Sequence, residues 1–142
     1  MIPSFSLSAL SFANLLSMIP RQNRFAGHGS LNYVYRHGRT IRGPLFAVKA
    51  VSNSRRQTYR VAVVVSRKIN KSAVARNRMR RRLYEIVHGL GPDINGPYDI
   101  VITVFHDSVV QAPRRLLVTQ VRKQLLDVGA LTKKPAQNST PG

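Results

Sequence analysis

Five arginines lie within the fourteen residues 74–87, VARNRMRRRLYEIV, and apolar residues surround them. Like charges on one helix repel each other, so this concentration indicates that the segment meets an anionic partner. Guanidinium suits phosphate in particular, because its planar fork forms two parallel hydrogen bonds to phosphate oxygens. The segment therefore favours phosphate recognition. A solvated basic face is the ordinary alternative.

Placed at about 3.6 residues per turn, this segment separates into an apolar face and a basic face, which predicts a helix over about 72–88. The core face holds Ala75, Met79, Leu83, Ile86 and Val87, and the opposite face holds Asn77, Arg80, Arg81, Tyr84 and His88. Arg78 and Arg82 lie at one border of the basic face and Arg76 near the other. Glu85 is expected to pair with Arg81 or Arg82, yet one carboxylate cannot neutralise five arginines. Nucleic acid is a better partner than a membrane, since the apolar face is needed for the core.

Composition supports a polyanion-binding protein over the whole chain. Its 142 residues contain 23 Lys and Arg against 5 Asp and Glu, a net charge of +18. The absence of Cys excludes disulfides and cysteine-bound zinc, and it favours a cytoplasmic location. No apolar run is long enough to cross a bilayer, so no membrane partner is predicted. We expect an extension over 1–17, one domain over 18–131 and a disordered polar tail over 132–142.

The order of elements predicts the class of fold. A helix over 30–38 precedes strands over 44–51 and 58–68, which are expected to form a hairpin. After the arginine helix come a central strand over 98–105 and a last helix over 113–128. This α-β-β-α-β-α order indicates an α+β two-layer sandwich with its helices on one small mixed sheet. Strand alternation places Ala47, Lys49, Ser66 and Lys68 on the face away from the aliphatic core.

The sequence does not predict a set of residues that could catalyse a reaction within this chain. His106 and Asp107 are neighbours at a strand end, but adjacent residues of an extended chain point to opposite faces. Cleavage by two metal ions needs several convergent carboxylates, whereas Asp93, Asp99 and Asp127 are scattered over separate loops and element ends. Neither a catalytic residue nor a metal site is therefore predicted in this chain.

The segment VSRKINKSAVARNRMRRRLYEIV resembles the protein component of bacterial ribonuclease P. The resemblance extends over about residues 18–130, because RF (24–25), VYRHGRTIRGPLF (34–46) and DIVI (99–102) have equivalents there in the same order. It implies a ribosomal protein S5 domain 2-like fold and the role of a protein cofactor. In that family a catalytic RNA with bound Mg²⁺ removes the 5′ leader of precursor tRNA, and the protein binds both RNAs. A general or ribosomal RNA-binding protein is the alternative.

The resemblance also implies roles for particular residues. The residues that match the family's RNA-contacting helix and the segment just before it are Arg76, Asn77, Arg78, Arg80, Arg81, Tyr84 and Lys71. Those matching the cleft for the single-stranded leader are Leu31, Tyr35, Ala47, Lys49, Ser66 and Lys68. Leu31 replaces the usual Phe, and Tyr84 replaces a basic residue but could stack on a base. The implied cofactor is Mg²⁺ held through the RNA, with no organic cofactor and no need for protein oligomerisation.

Overall fold

The computed structural model describes residues 23, 25 and 28–131. Within them the order is α-β-β-β-α-β-α: α1 is His28–His37, β1 is Arg39–Arg42, β2 is Phe46–Ser52, β3 is Arg60–Val65, α2 is Ala73–Leu90, β4 is Tyr98–Val104 and α3 is Arg114–Asp127. Short 3₁₀ turns cover Gly91–Asp93 and Asp107–Val110. The predicted α+β class is confirmed. The extension 1–17 and the tail 132–142 lie outside the described residues.

The four strands form one mixed sheet in the order β1-β2-β4-β3. Strand β4 is central, as predicted, and pairs antiparallel with β2 and parallel with β3. The predicted hairpin between β2 and β3 is wrong, because β4 lies between them. Sequence reasoning also missed β1, a mostly exposed edge strand that pairs with β2.

The apolar content of β4 explains why the hairpin does not form. Ile100, Val101 and Ile102 are all fully buried, so this strand needs cover on both of its faces. In an interior strand, side chains of the neighbouring strands flank these residues and the helices lie over them, so an interior place buries β4 best, and it separates β2 from β3. Helix α2 then connects β3 to β4, as a parallel pair requires.

Helices α2 and α3 pack on one face of the sheet and enclose the main core. The alternating strand residues Phe46, Val48 and Ala50 are buried there, as predicted for β2. On the predicted apolar face of α2, Met79, Leu83, Ile86 and Val87 are buried and Ala75 is half-buried. Helix α3 buries Leu117, Val121 and Leu125. Within the described range, no helix combines the length and apolarity that a membrane span needs.

Helix α1 covers part of the other face. Its Val34 is fully buried but lies outside the main core cluster, and Val101 is the fully buried apolar residue of β4 on this second face. Gly38 makes the close approach possible: a Cβ there would lie 2.6 Å from the Val34 carbonyl oxygen and 2.9 Å from Cγ of Lys49. The chain thus turns tightly from α1 into β1 and holds the helix against the sheet.

Candidate nucleic-acid interface

The start of helix α2 is fixed by its own polar side chains. Ser72 is the N-cap, and its hydroxyl accepts a hydrogen bond from the Ala75 amide at 3.2 Å. The Asn70 side chain accepts from the Ser72 amide at 2.9 Å. Arg76 reaches back and donates from one nitrogen to the carbonyls of Asn70 and Lys71, both at 3.0 Å. One predicted RNA-binding arginine therefore also holds the loop before its helix.

Two further arginines of α2 contact backbone carbonyls. Arg80 donates to the Asn77 side chain at 2.8 Å and to the Val65 carbonyl at 3.4 Å, at the end of β3. Its pKa is lowered, chiefly by burial and also by the charge of Arg76, although Tyr84 acts in the opposite direction. Arg82 donates to the carbonyls of Val109 at 2.8 Å and Val110 at 3.1 Å. These guanidinium groups stabilise the protein whatever else they bind.

The other predicted basic side chains on α2 and just before it face solvent, and we call them the basic strip. Lys71, Arg78 and Arg81 are exposed, and none of them has a side-chain partner among residues 28–131. The predicted pairing of Glu85 with Arg81 or Arg82 is wrong, because Glu85 pairs with Arg114 of α3 at 3.6 Å. The core packing of α2 against α3 brings that guanidinium within reach, and Arg82 turns towards the 3₁₀ turn instead. Arg81 is therefore free of its expected internal counter-charge.

Tyr84 covers the outer edge of strand β3. Its hydroxyl accepts a hydrogen bond from the Val63 amide at 3.2 Å, and its half-buried ring packs against the core. Because β3 is an edge strand, this amide would otherwise lack a strand partner. The contact gives Tyr84 a structural role that the sequence did not reveal.

The predicted cleft lies on the sheet face away from the main core, where side chains form two rows across the strands. Strand register aligns Ala47, Thr103 and Val64 in one row, and Lys49, Val101 and Ala62 in the next. Because strands lie about 4.8 Å apart, β2 and β3 are separated by roughly 10 Å. The predicted assignment of Ala47 and Lys49 to the face away from the core is confirmed by their burial pattern.

Helix α1 forms one wall of this cleft. Lys49 donates from Nζ to the Tyr35 carbonyl at 2.7 Å, and the same nitrogen lies 5.8 Å from the centre of the Tyr35 ring. Tyr35 is 42% exposed, so its ring is available to a ligand. Leu31 is half-buried one turn earlier on the same side of the helix. A cation and an aromatic ring therefore stand together at the cleft.

Ser66 and Lys68 lie beyond the strand that was expected to carry them. Strand β3 ends at Val65, and residues 67–69 form a turn closed by the Ile69 amide on the Ser66 carbonyl at 3.1 Å. Both side chains are exposed. The prediction of a strand to residue 68 is wrong because the chain turns here to enter α2. The turn places Ser66 and Lys68 at the rim of the sheet, next to the start of the arginine helix.

A buried polar network at the other end of β3 was missed by sequence reasoning. Arg60 donates to both carboxylate oxygens of Asp99 at 2.9 and 2.8 Å, and Asn53 donates to the same carboxylate at 2.8 Å. The ring of Phe25 lies 4.7 Å from the Arg60 guanidinium. Asn23 donates to Thr58 and to the Tyr59 carbonyl. The only sequence signals were an Arg opening one strand pattern and an Asp opening another.

The acidic residues do not converge on a reactive centre. All five lie in the described range: Asp99 is held by Arg60, Glu85 faces Arg114, Asp127 faces Lys123, Asp107 is beside His106, and Asp93 is in a separate 3₁₀ turn. His106 caps its turn by accepting from the Ser108 amide at 3.1 Å. Among the described residues no group of three His, Asp or Glu could hold a metal ion.

The chain is similar in sequence to known proteins of one family. The family model described as ribonuclease P matches residues 19–128. A ribonuclease P protein component from Pseudanabaena is 36% identical over 87 residues, which are 61% of this chain and 75% of the relative. One from Chloroflexus aurantiacus is 41% identical over 80 residues, 56% of this chain and 58% of the relative.

Solved structures show the same fold at lower identity. The RNase P protein of Staphylococcus aureus superposes with a TM-score of 0.68 at 18% identity, covering 78% of this chain and 98% of its own. The RNase P protein of Thermotoga maritima has a TM-score of 0.59 at 22% identity, covering 73% and 92%. The match over residues 19–128 covers most of the chain, and it includes both the arginine helix and the cleft. The chain belongs to the ribonuclease P protein family.

Proposed function

We propose that this chain, as the protein subunit of ribonuclease P, binds the catalytic RNA with helix α2 and the leader of precursor tRNA in the cleft beside α1. The observation that carries the proposal is the continuity of two surfaces. The strip of Lys71, Arg78 and Arg81 is exposed and unpaired within the described chain. Arg80 of the same helix contacts the Val65 carbonyl, next to Ser66 at the cleft rim. A general RNA-binding role would need the strip alone, whereas the family match and the cleft favour the specific one.

The arginines divide this work. Arg78 and Arg81 carry the phosphate contacts, since phosphate is the partner that their free guanidinium groups suit. Arg76, Arg80 and Arg82 hold the loops around α2 in place, so they present the strip as a rigid surface. Asn77 orients Arg80, and Tyr84 keeps the edge of β3 closed beneath them.

The cleft suits a single strand because it offers one ring and one cation above a flat, uncharged floor. Tyr35 stacks on a leader base, and Lys49 neutralises an adjacent phosphate. The floor residues Thr103, Val64 and Ala62 carry no charge, and stacking on an aromatic ring tolerates any base. The cleft therefore accepts leaders of differing sequence.

Catalysis is assigned to the RNA. The dispersed carboxylates, most of them beside basic partners, favour the RNA as the holder of Mg²⁺, which supplies the Lewis acid and the attacking hydroxide when bound. The chain contributes affinity and orientation of the substrate. We also place it in the cytoplasm, where a chain without Cys is at no disadvantage.

Reconstitution tests the proposal. The purified chain is combined with a bacterial ribonuclease P RNA at low Mg²⁺, and cleavage of precursor tRNA is measured with each component omitted in turn. The expected result is cleavage at the mature 5′ end that needs both components. Tight RNA binding without stimulation would favour a general RNA-binding protein. Cleavage by the chain alone would overturn the assignment of catalysis to the RNA.

The leader assignment has its own test in Tyr35→Ala. Loss of a stacked ring should weaken binding of leader-bearing precursor by up to ~1–3 kcal/mol and leave mature tRNA unaffected. Tyr35→Phe is the matched control, because it keeps the ring and removes only the hydroxyl. Equal losses with precursor and mature tRNA would remove Tyr35 from the leader site.

A further inference from the structure

Helix α1 divides the second face of the sheet into two grooves, and the proposed leader cleft uses only one of them. Tyr33 and Tyr35 lie on opposite sides of the helix, since two residues span about 200° of helical turn. Tyr35 faces Lys49. Tyr33 lines a separate open cavity of about 590 Å³, beside the loop that joins β2 to β3.

This second groove carries the groups that bind an unpaired nucleotide. Tyr33 is 46% exposed, and its ring centre lies 4.3 Å from that of His37, one turn later on the same side. Arg55 and Arg56 line the same cavity, both exposed and without side-chain partners in the described part of the chain. Aromatic rings facing guanidinium groups are the usual components of single-strand binding sites.

The electrostatics of the groove favour an anion. Among the described residues that line it, the acid is Asp99, which is buried and accepts three hydrogen bonds from Arg60 and Asn53. Its charge is therefore compensated below the surface. The exposed lining adds two cations and the hydroxyls of Ser52 and Ser54.

The arginine wall is positioned by the buried network. The side-chain nitrogen of Asn53 donates to Asp99, and its side-chain oxygen accepts from the Arg55 backbone amide at 3.1 Å. The backbone carbonyl of Asn53 accepts from the Arg56 amide at 3.0 Å, and the backbone amide of Asn53 donates to the Pro97 carbonyl at 2.7 Å. Two hydrogen bonds of Asn53 thus shape the turn, and two others hold it to Asp99 and Pro97 at the start of β4.

We propose that this groove is a second binding site for single-stranded RNA, in which Tyr33 stacks on a base and Arg55 and Arg56 bind its phosphates. The inference rests on the proposed function as a ribonuclease P subunit. Two sources could supply such a strand: an unpaired segment of the catalytic RNA, or leader nucleotides distant from the cleavage site. Helix α1 separates the grooves, so one leader would have to pass over it to fill both.

Affinity measurements test the site and distinguish its sources. The Arg55→Ala/Arg56→Ala double variant and Tyr33→Ala are compared with wild type in binding the catalytic RNA alone. They are then compared, as holoenzymes, in binding precursors with short and long leaders. We expect a roughly tenfold loss in one of these settings, and a slope of log K against log salt lower by about 1.4 for the double variant. Arg115→Ala, on an exposed part of α3, is the charge control.

A site-specific cross-link provides the direct readout. The chain has no Cys, so Ser54→Cys places a single photoreactive probe at the groove, and Thr119→Cys on the exposed side of α3 is the control. Cross-links to the catalytic RNA or to the leader at Ser54→Cys identify the source of the strand. Equal labelling from both positions, together with affinities that match the Arg115→Ala control, would overturn the second site.

The two hypotheses fail in different ways. If the wild-type chain does not stimulate the catalytic RNA, the proposed function itself is wrong. If wild type stimulates cleavage while the groove variants behave like their controls, only the second groove is wrong. Unchanged melting temperatures of the exposed variants show that the comparison is made on folded protein.

Discussion

Arginines lie near both ends of strand β3, and they differ in their burial and in their partners. At its start Arg60 is 3% exposed and forms a bidentate pair with Asp99. At its end Arg80 contacts the Val65 carbonyl, while Arg78 and Arg81 of the same helix face solvent. One of the five carboxylates of the chain is thus buried on an arginine far from the basic strip. The basic strip keeps its positive charge because Asp99 pairs with Arg60 and Glu85 pairs with Arg114, outside the strip.

The difference shows that residue type alone does not define function in so basic a chain. Arg60 stabilises the sheet, and its guanidinium also lies over the ring of Phe25. Arg82 stabilises the 3₁₀ turn at Val109 and Val110. Arg81 has neither kind of contact within the described chain, and phosphate is the partner that we propose for it. Substitutions at these three positions should therefore have distinct signatures.

The largest effect is expected at the buried pair. Asp99→Ala leaves the Arg60 guanidinium buried without its counter-charge, which should lower the free energy of unfolding by about 3–5 kcal/mol. Urea unfolding measures it. The matched variant Arg60→Met/Asp99→Leu removes both charges and should recover most of the loss. A double variant no more stable than Asp99→Ala would show that shape, not charge, dominates here.

A smaller loss of stability is expected at Arg82. Arg82→Ala removes a charged donor from two carbonyls, which should lower the free energy of unfolding by about 1–2 kcal/mol. The salt dependence of RNA binding should stay that of wild type. Urea unfolding and a salt titration on the same protein separate the two effects. A flatter salt slope with unchanged stability would instead place Arg82 on a phosphate.

Arg81 should show the reverse pattern. Arg81→Ala is expected to change the free energy of unfolding by less than about 0.5 kcal/mol, since the side chain is exposed. The slope of log K against log salt for the catalytic RNA should fall by about 0.9 if one duplex phosphate contact is lost. Arg81→Lys is the control and should keep most of the slope. An unchanged slope in Arg81→Ala would mean that this guanidinium touches no phosphate.

The smallest effect concerns alkaline pH at the buried end of β3. Burial raises the pKa of Tyr59 above its ordinary value of about 10. Above pH 10 the unfolded chain therefore loses this proton first, and stability should fall as pH rises through the folded pKa. Thermal unfolding between pH 8 and pH 11 measures the slope, which Tyr59→Phe should reduce. Tyr33→Phe at an exposed position should retain it.

Much of the fold could be predicted because hydrophobic periodicity reports burial. The outward face of Ala47 and Lys49 in β2, the buried face of α2 and the central place of β4 all follow from local patterns. The β2–β3 hairpin was wrong because alternation says which side of a strand is buried and not which strand is its neighbour. Strand β1 was missed because its four residues are mostly polar and exposed.

The candidate site was predictable to the level of its residue types. The sequence by itself determined a basic helix with one apolar face, a cysteine-free +18 chain and a family motif, because charge and periodicity are local properties. Only the tertiary structure decided which arginines bind carbonyls, that Glu85 meets Arg114, and that Arg60 is buried on Asp99. Those partners are up to 39 residues apart in the chain, so packing alone brings them together.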